Sequence, residues 1–354
     1  MATKFKIITN DDISTTRTPL HEAIPLTGTI VSGTYADGNI KNYSHGMFQS
    51  VYDYPYLSSS ANHIFDITVG YSSKSKLSGT STSVVQQEKK INLYNQMAQV
   101  LVGHDVTGSI LEFDRAGVLA DTGTKMREVV FLNFSRLITK DELKKGSFAL
   151  SFLTGGNPVK PVHLGGPGGS TTELLIKDHN ALTTYKTNSP AGEYAILYTG
   201  SAAKADTGVG LLYYQAGVAV LTASIFGGQF GAGATGSVDT GSVNTVLTGS
   251  NISSSCDGVR GRFKNLSFNN TTELNSAIYF CRVNHNEFNY SSNPTYLSAS
   301  TIRVKEVKSD NPISYFTTVG LYNSENVLMA VAKLSEPLKK SPDTEFTLRV
   351  RLDY

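Results

Sequence analysis

The chain has 354 residues, 40% of them hydrophobic and 17% charged, and a formal net charge of +2. That length buries a sizeable core and divides into two or three domains, while the near-balanced charge excludes a nucleic-acid binder built on a concentrated basic patch. The charged fraction lies below the roughly 25% usual in soluble domains, so Ser, Thr, Asn and Gly carry much of the surface.

The opening Met-Ala-Thr-Lys-Phe-Lys lacks the apolar core of a signal peptide, so the chain is expected to be soluble and made in a cytoplasm. Residues 5–9 read as a strand, and Pro19 and Pro25 discourage regular structure after it. Residues 1–60 are read as an N-terminal arm with edge strands. Tyr43, Tyr52, Tyr54 and Tyr56, set around Asp53 and Pro55, form the densest aromatic patch. Tyrosine suits strand packing and protein interfaces, which makes Tyr52, Tyr54 and Tyr56 candidate interface residues.

Residues 61–156 read as a helix-on-sheet domain. Residues 64–70 form a strand, and a polar loop follows. A helix is expected from Ser83, a candidate N-cap with Gln86 at the capping-box position. Ile91, Tyr94, Met97, Val100 and Leu101 make its apolar stripe, and Gly103 is its stop. Residues 129–134 are a nearly continuous apolar run, a strand covered on both faces. A one-turn helix capped by Thr139, with Glu142 three residues on and Gly146 as stop, precedes a strand at 148–153. Lys140, Lys144 and Lys145 read as a solvated face of that helix.

The glycines from Gly165 to Gly169 invite comparison with a phosphate loop, but no Gly-Lys-Ser/Thr follows. They are read as a flexible connection, and the domain boundary is placed at 157–172. Residues 170–354 then read as an antiparallel β-sandwich, with a Gly/Ser/Thr-rich loop near 227–251. Its strands are expected at 194–198, in a hairpin at 210–221, at 258–267, at 277–283 and at 302–307. The most apolar stretch, 210–226, is interrupted by Gln215, Thr222 and Ser224 and falls short of the ~20 residues of a membrane helix. Residues 313–322 and 327–332 form a second hairpin around Asn323-Ser-Glu-Asn326. At 345–354 the alternation is strict, with Phe346, Leu348, Val350, Leu352 and Tyr354 on one face. A core strand at the end of the sequence must be tied into a sheet. Phe346 and Tyr354 join the candidate interface residues. The fold class is therefore mainly β with minor α: a sheet packed with one long helix in the N-terminal half, and an antiparallel β-sandwich in the C-terminal half.

The pattern of reactive residues points away from chemistry. The seven histidines (His21, His45, His63, His104, His163, His179 and His285) show no zinc-protease or cysteine-ligand spacing. His104-Asp105, and His285 near Glu287, read as satisfied loop histidines. Asp11-Asp12 is a carboxylate pair at the N-terminus, Glu112 and Asp114 are isolated acids, and no Gly-x-Ser-x-Gly elbow occurs. Cys256 and Cys281 can form one bridge at most, with no disulfide framework or structural zinc site. The absence of Trp weighs against a sugar-gripping module. No catalytic residue, metal site or cofactor is expected.

Several phrases carry a resemblance: Tyr94-Asn-Gln-Met-Ala-Gln-Val-Leu-Val-Gly-His-Asp105, Val130-Phe-Leu-Asn-Phe-Ser-Arg-Leu137 with Lys140-Asp-Glu-Leu-Lys-Lys-Gly146, and Gly210-Leu-Leu-Tyr-Tyr214. Thr317-Thr-Val-Gly-Leu-Tyr-Asn323 with Leu328-Met-Ala-Val-Ala-Lys333 is similar to a β-hairpin of tail and baseplate components. The chain resembles, over about two-thirds of its length, virion structural proteins of large tailed bacteriophages. The resemblance implies a non-enzymatic subunit of the baseplate or tail, or of the neck or collar. Its partners would be other tail, baseplate or neck proteins and copies of itself, with no nucleic acid and no membrane. A receptor-binding tail-fibre adhesin is the reading from another class. The family brings no catalytic residues to carry over.

Overall fold

The structure is a computed structural model that describes residues 5–25, 37–79, 84–119, 122–154, 172–200, 208–226, 251–291, 297–298, 301–302, 307, 309 and 311–354. In chain order, a 3-10 turn at Asn10–Asp12 leads into β1 (Ile13–Pro25). Strands β2 (Ile40–Asn42), β3 (Gln49–Tyr52) and β4 (His63–Tyr71) precede helix α1 (Val84–Leu101). Next come β5 (Glu128–Phe134), the single turn α2 (Arg136–Thr139), β6 (Glu142–Leu143) and β7 (Ala149–Thr154). Then follow β8 (Thr172–Lys177), α3 (Ala181–Thr184), β9 (Lys186–Ser189), β10 (Gly192–Thr199), β11 (Gly208–Tyr213) and β12 (Val218–Thr222). Helix α4 (Ile252–Gly261) feeds β13 (Phe263–Val283), and β14 (Leu297–Ser298), β15 (Thr301–Ile302), β16 (Ser314–Tyr322), β17 (Leu328–Lys340) and β18 (Phe346–Asp353) end the chain. The protein is thus mainly β with minor α.

Two compact units divide it, Leu20–Thr272 and Met1–Pro19 with Glu273–Tyr354. In the larger unit the sheet order is β13-β7-β8-β10-β11-β12-β5-β4-β3-β2, with β6 on β13 and β9 on β10. Neighbours along this path are antiparallel. The expected division at 157–172 does not interrupt this sheet. β7 pairs with β8 from Ala149↔Lys177 to Thr154↔Thr172, and β12 pairs with β5, so strands from both sequence halves share it. The glycines at 165–169, His163 and the 227–250 part of the Gly/Ser/Thr-rich loop lie outside the described residues.

β5 is buried on both faces, as its continuous apolar run implies. Val129 and Phe131 join one core with Tyr94, Phe113, Leu211, Tyr213 and Val220. Val130, Leu132 and Phe134 join another with Phe65, Ile67, Val69, Leu221 and Phe263. α1 covers the first face. A Cβ placed on Gly70 would lie 2.8 Å from the Lys90 carbonyl oxygen and 3.1 Å from the Tyr94 nitrogen, so the helix backbone rests directly on β4. α4 covers the opposite face, where Ile252, Cys256 and Val259 join Ile67 and Val69.

Within α1, Ile91, Tyr94 and Leu101 are buried as expected, but Val100 is exposed and Ala98 takes its place. Residues 91, 94, 98 and 101 follow the helical repeat, and 100 falls off that row. Ser83 lies outside the described residues. Gly103 takes φ +95 and its N–H donates to the Ala98 carbonyl at 3.0 Å, the expected left-handed stop. Two local expectations are corrected. Ser135, not Thr139, is the N-cap of α2, and Thr139 is its last residue. The turn forms where β5 ends, and Lys140 closes it at φ 53. The strand expected at 258–267 begins only at Phe263, because residues 252–261 are helical. Asn251 Oδ1 accepts the Ser254 N–H at 2.8 Å and nucleates that helix.

Residues 5–9, in the smaller unit, are not a strand, whereas β1 begins in that unit, runs on past Pro19 to Pro25 in the larger one, and ends the sheet order beside β13. Proline is tolerated there because an edge strand leaves one row of N–H groups unused. The second half of β13 pairs with β18 from Ser276↔Asp353 to Val283↔Phe346. Tyr354 N–H donates to Asn275 O at 2.8 Å, so the last residue described is tied in by its backbone. β16 and β17 form a separate two-stranded sheet, and the expected strand at 302–307 is described only at Thr301–Ile302, paired with Leu297–Ser298.

The contact at Gly70 yields a test. Gly70→Val should lower the unfolding free energy by about 3 kcal/mol through overpacking against a helix backbone that cannot yield. Gly38→Ala, whose added Cβ would meet only Pro55 at 3.7 Å, should cost far less in the same denaturant titration.

Candidate binding surfaces

The tyrosine patch lies at the β2 end of the larger unit's sheet. In β3, Ser50 stands opposite Asp66 of β4 and Tyr52 stands opposite His63, with a register shift between Val51 and Tyr52. The shift has a consequence for the side chains. Ile64 and Phe65 are consecutive yet both enter the same core. The irregularity therefore turns His63 onto the face of Asp66, a re-aiming typical of β-bulges. Asp66 Oδ1 receives the Ser50 hydroxyl at 2.5 Å and lies 2.8 Å from His63 Nε2. The Tyr43 hydroxyl lies 3.1 Å from Ser50 Oγ. In a Ser–His–acid relay the imidazole stands between hydroxyl and carboxylate. Here the carboxylate stands between them, so His63 is not placed to take the Ser50 proton.

Aromatic rings surround this polar centre. Tyr43 stacks on His45 at 5.1 Å and meets Phe48 at 4.8 Å, while Tyr52 lies 6.2 Å from Tyr56 and 5.4 Å from His63. Burial, then Tyr43 and Asp66, raise the Tyr52 pKa. Of the sequence candidates, Tyr52 and Tyr56 are brought together. Tyr54 is 57% exposed and Tyr56 37%. Ser50, His63 and Asp66 were not anticipated. The signal available was the run Ile64-Phe65 inside an alternating strand, with His63 and Asp66 three residues apart around it.

The C-terminal candidates separate. The Phe346 ring lies 5.6 Å from Phe316, which lies 6.1 Å from Phe288, so Phe346 belongs to internal packing of the smaller unit. The Tyr354 side chain is exposed, as are Tyr322, Val327, Leu328, Met329 and Val331 around the tip of the β16–β17 hairpin. A Cβ on Gly320 would lie 3.0 Å from the Tyr322 ring and 3.1 Å from Leu328 Cδ1, and Phe5 packs edge-on against Tyr322 at 4.7 Å. Tyr322, Leu328 and Phe5 therefore form one apolar patch, with Met329 68% exposed beside it.

Elsewhere, several ionisable groups are held by local partners. Asp178 accepts the Gly146 and Phe148 N–H groups at 2.7 and 3.1 Å and the Tyr214 hydroxyl at 2.8 Å, yet burial still raises its pKa. Lys145 sits 5.0 Å over the Tyr185 ring and pairs with Glu193 and Glu142. Burial works against its charge, but the two carboxylates outweigh burial and its pKa is raised. Asp105 accepts the Thr107 and Ser109 N–H groups of its own turn, and His104 bridges Ile110 through the backbone. Cys256 and Cys281 are both free thiols. Among the described residues no group of His, Cys, Asp and Glu is gathered as a metal site, and no helix is long and apolar enough to cross a membrane. Comparison with protein-family models, with curated proteins and with solved structures found no match.

The buried ionisable groups set a pH profile. Burial lowers Lys90 from 10.5 to about 8. Between those values the unfolded chain binds more protons than the folded one, so this group makes stability rise with pH. Burial raises Tyr94, Tyr194, Tyr213 and Tyr214 above 10.0. Their stabilisation is complete below the unfolded value and is lost as pH climbs past it. Burial likewise raises the Cys256 and Cys281 thiols above 9.0, so they oppose Lys90 once the unfolded thiols ionise. Denaturant titrations should show stability increasing from pH 8 towards 9 and falling above it, most steeply past 10. Lys90→Met should abolish the increase and leave the fall.

Proposed function

We propose that the chain is a non-enzymatic structural subunit of a tailed-bacteriophage virion, working through protein–protein contacts in the baseplate or tail. The observation that carries this reading is the β16–β17 hairpin. Tyr322, Val327, Leu328, Met329 and Val331 are all large, apolar and exposed in one short stretch. Contiguous apolar surface on a folded unit marks a site that another protein covers. The same stretch holds the residues whose phrasing resembles tail and baseplate hairpins, which supports baseplate or tail over a neck or collar position.

A two-stranded hairpin is only marginally stable alone. Packing against neighbouring subunits would supply the missing burial, and repeated copies would multiply it by symmetry. Partners on this reading are other tail, baseplate or neck proteins and copies of the chain itself, within a virion assembled in the host cytoplasm.

The double variant Met329→Lys/Val331→Lys tests the idea in particles made from a complementing gene. Both side chains are exposed, so the purified variant should fold with an unchanged circular dichroism spectrum. Its incorporation into particles, scored by electron microscopy and gel analysis, should fall by about tenfold or more, the loss expected when a hot-spot pair is replaced by charge. Incorporation at the wild-type level would refute the assignment of this surface, and absence of the wild-type chain from particles would refute the virion reading itself.

A further inference from the structure

We propose that the end of the β2–β4 face left open by α1 is a binding site for a neutral carbohydrate. The face is continuous. Ser50 and Asp66 share it with Thr68 and Gly70 by alternation along the strands. α1 seats on Gly70, while the Asp66 and His63 side chains remain 24% and 31% exposed. A carboxylate and an imidazole are thus held in place by fixed partners and are still reachable.

The chemistry of the cluster selects the ligand. A pyranose ring offers a patch of C–H groups on one face and hydroxyls around its rim. Tyr52 and Tyr56 supply rings for the first, in the place of the Trp that the sequence lacks, while Tyr43 is already stacked on His45. Asp66, His63 and the Tyr56 hydroxyl supply acceptors and donors for the second, while the buried Ser50 only holds Asp66 in place, the combination of apolar walls and a few fixed polar groups that defines small-molecule sites. An anionic ligand is disfavoured by the Asp66 carboxylate at the centre. A cationic one is disfavoured because Lys41 Nζ already sits 5.0 Å over the Tyr43 ring. A protein partner is a poorer fit here than at the hairpin, since interface cores are depleted of charged groups. The bulge strengthens the case. A regular β4 would send His63 towards the core face, and the irregularity turns it to Asp66.

This inference does not depend on the virion reading and stands or falls separately. The full chain is titrated with glucose, galactose, mannose and N-acetylglucosamine and with their short oligomers. Saturation-transfer NMR detects contact and calorimetry gives the affinity. At least one saccharide should bind, with saturation of Tyr ring protons. Tyr56→Ala and Asp66→Asn should each weaken that binding by about tenfold or more, equal to roughly 1.4 kcal/mol, while Tyr354→Ala leaves it unchanged. Circular dichroism on each variant separates lost binding from lost fold. No binding at millimolar saccharide, or binding indifferent to both Tyr56→Ala and Asp66→Asn, overturns the proposal. Self-association of the chain that these two variants abolish overturns it as well, because the cluster would then be a protein interface.

Discussion

The contact between Gly70 and the backbone of α1 fixes the larger unit. A side chain at residue 70 would hold the helix off the sheet, and the first core would lose its lid. With glycine there, Tyr94 reaches down beside the strand and its hydroxyl donates to the Met126 carbonyl at 2.9 Å. Tyr94 then meets Phe113 edge-on at 5.4 Å, and Phe113 meets Phe131 at 5.7 Å. Burial of that size is what makes an antiparallel sheet with distant strand pairings stable, since each long-range pair carries a loop-closure cost before it returns anything. The placement of α1 also decides what stays open. The helix covers β4 around Gly70 and leaves Asp66 and His63 partly exposed, so the same contact that builds the core defines the limit of the polar, aromatic surface.

The smaller unit is held differently. Lys340 is fully buried, and its ammonium donates to His285 O, Asn289 Oδ1 and Ser341 O at 3.0, 2.6 and 2.7 Å. Three neutral acceptors match the three protons of an ammonium group, so the charge is satisfied by geometry. Aromatic contacts run from Phe288 through Phe316 to Phe346. Beyond these, β16 and β17 turn much of their surface outward. A unit held by a lysine clasp and a short aromatic row gains more from a partner than one with a deep core does, which is the physical basis for assigning docking to the hairpin.

Much of this was legible because local pattern and tertiary environment agree. The continuous apolar run of β5 implied burial on two faces, and the core contains both sets of its side chains. The alternation of β18 implied a paired terminal strand, and its register with β13 bears that out. α1, with Gly103 as its stop, followed from helical spacing. Failures occurred where a distant partner overrides a local signal. Pro19 argued against a strand, but an edge position removes the objection. Gly258 looked like the start of a strand, although Asn251, Ile252, Cys256 and Val259 carry a cap and a helical repeat. The sharing of one sheet by both halves was invisible, since β7–β8 and β5–β12 pairing depends on which strand lies beside which.

The same distinction explains what the sequence could say about sites. Tyr52 and Tyr56 cluster in sequence and in space, so their patch was visible. Ser50 and Asp66 meet only through the β3–β4 register, and His63 joins them only because Ile64 and Phe65 both turn inward. One residue of regular strand in place of that shift would leave the same amino acids with a different face and no polar centre. The two exposed surfaces consequently answer to different chemistry. The hairpin presents apolar side chains whose hydration is relieved by any well-shaped dry contact, so it suits a protein neighbour. The β2–β4 face holds a partly exposed carboxylate that Ser50 and His63 satisfy on one oxygen, and a dry contact would take water from the rest of it. On the carbohydrate reading proposed above, the occupant brings hydroxyl donors of its own together with an apolar face.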